Sequence, residues 1–124
     1  MRQTRRTVRR HLLYYLQVLD RDTKQPVGRL GDLSGEGLML LCETPPQVGR
    51  EYHLRVMPPE VASDEQPLDV DAECIWCRRD VNPDLRLAGF RFATVDEATR
   101  RSIDVLVREH GFSDGQFLVD DEEE

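Results

Sequence analysis

The sequence lacks a long hydrophobic run, and it contains few aromatic residues and few cysteines. The longest apolar stretch, residues 38–42, is far shorter than the ~20 residues of a membrane-spanning helix. The basic N-terminus leads into an apolar block that is too short for a secretory signal and is followed by no small-residue cleavage site. The sequence therefore predicts no membrane span and no secretion leader, and we expect a cytoplasmic protein.

The three cysteines do not indicate a disulfide scaffold, because their number is odd and the chain is expected inside the cell. Cys74 and Cys77 form a C-x-x-C pair, but no second pair or histidine stands at a metal-binding spacing. Residues 69–77 alternate in the manner of a strand, in which these two cysteines point to opposite faces. We predict structural cysteines and no metal site.

The charge of the chain is unevenly distributed. The net charge is −7, yet residues 1–10 hold five arginines and no acidic residue, whereas residues 120–124 are all acidic. A largely acidic surface repels a polyanion, so a nucleic-acid polymer is not an expected partner, although a small anion site at the N-terminus stays open. We divide the chain into an arginine-rich arm, residues 1–11, one folded domain, residues 12–111, and an acidic tail, residues 112–124.

Six short segments have the composition and alternation of β-strands and are separated by polar turns. The predicted strands are residues 12–20, 27–32, 38–43, 51–56, 70–78 and 85–92. No helix lies between them, which favours an antiparallel barrel or sandwich. One helix is predicted at about 94–110, from a capping box formed by Thr94 and Glu97 and from a single apolar stripe. In the tail, Phe112, Phe117 and Leu118 are expected to dock on the surface.

Two clusters of residues carry recognisable chemistry. The first contains two overlapping R-x-x-x-R pairs: Arg5, Arg6, Arg9 and Arg10. The second is a D-x-S-x-x-G motif: Asp32, Ser34 and Gly37. Guanidinium groups suit phosphates and the guanine edge, a carboxylate accepts the guanine N–H groups, and glycine permits close approach. Taken singly, the clusters are typical of a solvated arm and a hairpin turn; together they are suited to a purine nucleotide with several negative oxygens.

In this order, the two motifs resemble those of the PilZ family. The similarity continues through Trp76 on a late strand, residues 89–92 and the closing helix. The resemblance implies a six-stranded antiparallel β-barrel with a C-terminal helix, and a site for the bacterial second messenger cyclic di-GMP. The interval of 22 residues between Arg10 and Asp32 looks more like the family than the interval from Arg9 does. Arg6 and Arg10 are therefore the favoured pair, with Arg5 and Arg9 as auxiliary contacts.

The resemblance also implies a role for each residue of the second motif. Asp32, Ser34 and Gly37 are expected at the ligand, whereas Trp76 is either a further ligand contact or a core residue. We expect a receptor with no catalytic residues and no cofactor, which relays its signal to an effector protein or through a homodimer.

Three alternatives are a PilZ-like interaction module that ignores nucleotides, nucleic-acid binding through the arginines, and an enzyme. The enzyme is disfavoured because His11, His53 and His110 neighbour no nucleophile motif. The nucleic-acid alternative is disfavoured by the acidic remainder of the chain.

Overall fold

The computed structural model describes residues 16–58, 66–110 and 116–118, and its centre is a closed β-barrel. Its six strands are β1 (Gln17–Asp20), β2 (Pro26–Leu33), β3 (Gly37–Cys42), β4 (Glu51–Val56), β5 (Leu68–Arg79) and β6 (Arg86–Phe92). They pair antiparallel around the barrel in the order β1-β2-β3-β6-β5-β4. The structure therefore confirms the barrel and excludes the sandwich. Residues 12–15 of the predicted first strand lie outside the described residues.

The interior of the barrel is filled by alternate residues of the strands. Along β5, Val70 and Ala72 are buried, whereas Asp71 between them is partly exposed. Phe90 of β6 is fully buried and makes a T-shaped contact with Tyr52, with 5.8 Å between the ring centroids. This alternation of buried and exposed residues is typical of an antiparallel sheet with one face packed in the core and the other exposed to solvent.

Two of the three irregularities in the register of the described strands decide which face the residues of the motif region and of Trp76 occupy. The register shifts between Leu30 and Asp32 in β2 and between Cys74 and Trp76 in β5. A bulge adds one residue to one strand, and one added residue reverses the face of every residue after it. Leu30, Leu33 and Cys74 belong to the core. Asp32 and Trp76 consequently face outwards, whereas regular strands would direct both into the barrel.

The bulge in β5 makes the prediction of opposite faces for Cys74 and Cys77 wrong. Both side chains border the core, as does that of Cys42. Burial raises the pKa of Cys42 to about 12 and that of Cys74 to about 11, and it also raises the pKa of Cys77. The three thiols are unbridged and stay protonated at neutral pH, so they are poor nucleophiles in the folded protein.

The single α-helix of the described residues, α1 (Glu97–His110), packs against β5. Within α1, Ile103 is fully buried in the core, and Leu106 and Val107 are partly buried against it. The helix and its apolar stripe are thereby confirmed; the side chain of His110 lies outside the described residues. Neither α1 nor the short 3-10 helix Gln116–Leu118, the helices in the described ranges, is long and apolar enough to cross a membrane.

The helix begins three residues later than predicted, because Asp96 caps it in place of Thr94. The Oδ1 atom of Asp96 accepts the backbone N–H of Thr99 at 2.8 Å, which is the bond that an N-cap carboxylate makes to the first turn. The prediction of a capping box formed by Thr94 and Glu97 is therefore wrong. The hydrogen bonds from Thr99 hold the pKa of Asp96 below its usual value.

Replacing Asp96 with alanine is expected to lower the midpoint of thermal unfolding, because the first turn of α1 loses its cap. The lowered folded-state pKa means that the carboxylate stabilises the fold above the unfolded-state pKa and loses this effect as the pH falls through the folded-state value. The difference in Tm between Asp96→Ala and the unaltered chain should therefore disappear in acid. Thermal unfolding followed by circular dichroism across the acid range measures this.

Asp104→Ala, an exposed aspartate in the middle of α1, is the control for loss of charge. Alanine is the better helix former there, so this variant should keep or raise the Tm. Equal losses of Tm for the two variants would contradict the capping role of Asp96.

Candidate ligand-binding site

The D-x-S-x-x-G motif forms the tight turn between β2 and β3. Ser34 is only 2% exposed, and its backbone N–H donates to the carbonyl of Gly37 at 2.9 Å. Its hydroxyl oxygen accepts the N–H of Glu36 at 3.1 Å. A serine hydroxyl that bonds a backbone N–H two residues ahead shapes a turn. Ser34 therefore positions the turn, and its direct contact with a ligand stays a prediction.

Asp32 stands on the outer face at the end of β2 and is half-buried. Its Oδ1 atom accepts the N–H of Leu33 at 2.9 Å, which orients the carboxylate. An ionised carboxylate accepts several hydrogen bonds on its two oxygens. Such a group, held at the rim of the turn, is suited to accept the adjacent N–H groups of a guanine edge.

Four residues form one row across the outer face of the barrel, which we call the outer-face row. The strand register pairs Asp32 with Met39, Met39 with Gly89, and Gly89 with Trp76. Neighbouring strands lie ~4.8 Å apart, so the row extends roughly 14 Å along the sheet. It has a carboxylate at one end, an indole at the other, and a glycine between them that adds no side chain.

Trp76 lies against the bare backbone of Gly89. A Cβ atom at Gly89 would be 2.4 Å from the indole Nε1, so glycine is what allows this approach. The guanidinium carbon of Arg78 lies 4.6 Å from the ring centroid, and Nε1 donates to the carbonyl of Phe117 at 2.7 Å. Trp76 is thus outside the barrel interior, yet other parts of the chain leave it only 6% exposed.

Three arginines that the sequence analysis did not single out stand near the row. Arg78 covers Trp76, as described above. Arg91 is exposed on β6, where the register pairs it with Gly37. Arg100 reaches from α1 and donates from Nη1 to the carbonyl of Gly35 at 3.2 Å. Two of these arginines therefore flank the turn, Arg91 beside Gly37 and Arg100 at Gly35.

The four predicted arginine contacts, Arg5, Arg6, Arg9 and Arg10, lie outside the described residues. The first described residue is Leu16, whose carbonyl accepts the N–H of Leu30 at 2.9 Å. Leu30 precedes Asp32 by two residues on β2. The chain that carries the arginines is therefore attached beside the outer-face row.

A separate polar cluster lies on the outer face of β4 and β5. A nitrogen of His53 and carboxylate oxygens of Glu51 and Asp71 lie within 4.8 Å of one another, as the atoms of a metal site do. However, Asp71 contacts the guanidinium of Arg21, and the His53 Nδ1 lies 2.9 Å from a carboxylate oxygen of Asp22. Two of the three groups, Asp71 and His53, thus already have partners within the protein, and we assign no metal to the cluster.

The sequence model of the PilZ domain matches residues 3–109, which is most of the chain. The chain belongs to the PilZ domain family. The match confirms the resemblance that the two motifs indicated, and it includes the arginine arm from residue 3 onwards. No curated protein sequence matches the chain.

Three solved structures have the fold of this PilZ domain. The PilZ domain of YcgR from Escherichia coli, with cyclic di-GMP, has a TM-score of 0.60 at 20% identity, over 78% of this chain and 81% of that one. A second YcgR structure, in complex with cyclic di-GMP, has a TM-score of 0.58 at 20% identity, over 77% and 40%. The inhibitor of motility MotI (DgrA) from Bacillus subtilis has a TM-score of 0.61 at 13% identity, over 76% and 46%. The present chain therefore spans less than half the length of the second YcgR chain and of the MotI chain.

Proposed function

We propose that this PilZ domain is a receptor for cyclic di-GMP that relays ligand binding to a partner protein. The observation that carries the proposal is the outer-face row. Two bulges turn Asp32 and Trp76 out of the barrel into one row, beside the point at which the arginine arm is attached. No catalytic step and no cofactor is part of the proposal.

The arm is long enough to serve this row. Arg10 precedes Leu16 by six residues and Arg6 precedes it by ten. An extended chain covers at most ~3.4 Å per residue, so these arginines can stand up to roughly 20 Å and 35 Å from Leu16. Leu16 lies one strand beyond the Asp32 end of the row, so the Trp76 end is four strand spacings, roughly 19 Å, from it, and both reaches exceed this distance. Arg6 and Arg10 can therefore contact a ligand at either end of it.

Each group has a role that its chemistry supports. The guanidinium groups of Arg6 and Arg10 fit the phosphates and the O6/N7 edge of guanine as forked donors, with Arg5 and Arg9 as auxiliary contacts. Asp32 accepts the guanine N–H groups, Ser34 and Gly37 set the turn, and Trp76 offers its ring to a base. The PilZ domain of YcgR, which shares this barrel, was solved with cyclic di-GMP, and this supports the choice of ligand.

Calorimetric titration of the full chain with cyclic di-GMP, with GTP as the control, tests the proposal. Saturable heat with the cyclic dinucleotide alone is the expected result, and it also gives the stoichiometry. Absence of heat, together with no rise in Tm at high ligand excess, would contradict the proposal. The arginine arm would then be a docking segment.

The second candidate function is a protein-interaction module that does not respond to nucleotides. It is favoured by the burial of Trp76 under Phe117 and Arg78, which already occupies one end of the row. Relay through self-association is a variant of the first proposal. Light scattering with and without the ligand distinguishes relay through self-association from the other two possibilities. Only a receptor that self-associates in response to the ligand should change its mass when the ligand is added.

A further inference from the structure

The 3-10 helix Gln116–Leu118 is seated on the outer face at the Trp76 end of the row, against β3 and β6. Leu118 is only 8% exposed, although it is separated from α1 by residues 111–115, which lie outside the described ranges. The carbonyl of Phe117 accepts the indole N–H of Trp76 at 2.7 Å. This segment, which we call the C-terminal cover, therefore contacts the site through both a hydrogen bond and an apolar side chain.

The two glycines of the site form the seat of the cover. A Cβ atom at Gly37 would lie 2.9 Å from Cδ2 of Leu118, so the leucine rests on bare backbone at the last residue of the D-x-S-x-x-G motif. Gly89 in turn receives the indole of Trp76, which the carbonyl of Phe117 then holds. The cover is thus built around the same Gly37 and Trp76 that the ligand proposal uses.

We propose that the C-terminal cover is an autoinhibitory segment that competes with cyclic di-GMP for the Trp76 end of the site. This inference rests on the proposed function above. Leu118 occupies the space above Gly37, where the motif is expected to let the ligand approach the backbone closely. The carbonyl of Phe117 occupies the N–H edge of Trp76, a residue that is only 6% exposed. Ligand binding at Gly37 and Trp76 and seating of the cover therefore exclude each other.

Such competition makes the apparent affinity depend on the stability of the cover. When the binding-competent state is only a fraction of the population, the apparent Kd is the intrinsic Kd divided by that fraction. A cover seated in about nine molecules of ten weakens binding about tenfold. Loosening the cover, without touching the site itself, restores the intrinsic affinity.

Leu118→Ala tests the inference in the full chain, because it removes the apolar contact with Gly37 and leaves the row unchanged. We expect about tenfold tighter binding of cyclic di-GMP by calorimetry. The matched control is Val81→Ala, which also shortens an apolar side chain but at a position 98% exposed, and which should bind as the unaltered chain does. Equal affinity in all three proteins, or weaker binding by Leu118→Ala, would overturn the competition while leaving the receptor proposal intact.

A spectroscopic measurement keeps the test independent of affinity. The chain has one tryptophan, so the NMR spectrum contains one indole N–H signal, that of Trp76. Contacts between this proton and the backbone protons of Phe117 and Leu118, which flank the carbonyl that accepts it, should be present in the unliganded chain and lost at saturation with cyclic di-GMP. If they persist at saturation, the cover is not displaced and the inference is wrong. If neither the unaltered chain nor Leu118→Ala binds the ligand, the proposed function fails and the inference fails with it.

Discussion

Alanine at both Arg6 and Arg10 is expected to weaken the binding of cyclic di-GMP by roughly a hundredfold or more. A bidentate arginine contact contributes about 1–3 kcal/mol, and two such contacts therefore contribute about 2–6 kcal/mol when they add. At about 1.4 kcal/mol for each tenfold change in Kd, about 2.8 kcal/mol gives a hundredfold loss, and the middle of this range gives more. Calorimetric titration of the double variant at fixed salt measures the effect.

The matched control is alanine at both Arg5 and Arg9, which removes the same two charges from the same arm. General attraction of an anion falls equally in the two double variants, whereas a forked contact is lost only in the pair that makes it. We expect a much smaller loss in the control. Equal losses of affinity in the two double variants would mean that the arm attracts the ligand only through its general positive charge. A larger loss in the Arg5 and Arg9 variant would assign the contacts to those two residues. Unchanged affinity in both double variants would mean that the arm makes no contact with the ligand.

Gly37→Ala is expected to lower the free energy of unfolding by about 2–3 kcal/mol, at the upper end of what overpacking costs. A Cβ atom at this position would lie 2.1 Å from the carbonyl oxygen of Phe90 and 2.9 Å from Cδ2 of Leu118. The carbonyl is part of β6, which pairs with β3 along its whole length, so it cannot rotate away as a side chain can. Urea denaturation at equilibrium, compared at a common m-value, measures the change.

Gly35→Ala provides a control within the same motif. The nearest atom to its Cβ would be Nη1 of Arg100 at 3.7 Å, which is an ordinary contact. Gly35 is also not among the glycines with a positive φ in the described residues, so alanine fits its backbone. This variant should unfold at the same urea concentration as the unaltered chain, or slightly above it, because alanine restricts the unfolded state. Equal destabilisation by both substitutions would contradict the close approach at Gly37.

Local alternation predicted those parts of the fold that depend on one strand alone. The bounds of β4, Glu51–Val56, are the predicted ones, because its apolar and polar residues alternate without interruption. The same alternation finds Arg91, which stands between the buried Phe90 and Phe92 and so faces outwards. Alternation alone could therefore have identified Arg91 as a surface residue beside the site. The start of α1 was misplaced because Thr94 and Asp96 both satisfy the composition of a cap, and only the bond to Thr99 decides between them.

The composition of the site was predictable from the sequence, but its geometry was not. A bulge is a property of two paired strands, so nothing in β5 alone indicates that Trp76 faces away from Cys74. The bond from Arg100 to Gly35 depends on how α1 packs, across an interval of 65 residues. The docking of Phe117 and Leu118 was expected, but its position on Trp76 and Gly37 required the closed barrel.

The bulge in β2 also has a consequence for how recognition tolerates a change in chain length. Deletion of Gly31 would remove the added residue, so that Asp32 would follow the core residue Leu30 directly and would still face outwards in a regular strand. Such a chain keeps every letter of D-x-S-x-x-G and every arginine of the arm, and its carboxylate stays on the outer face. The interval between Leu30 and Asp32 can therefore lose one residue without a change of face, because the bulge already absorbs the residue that would otherwise reverse it.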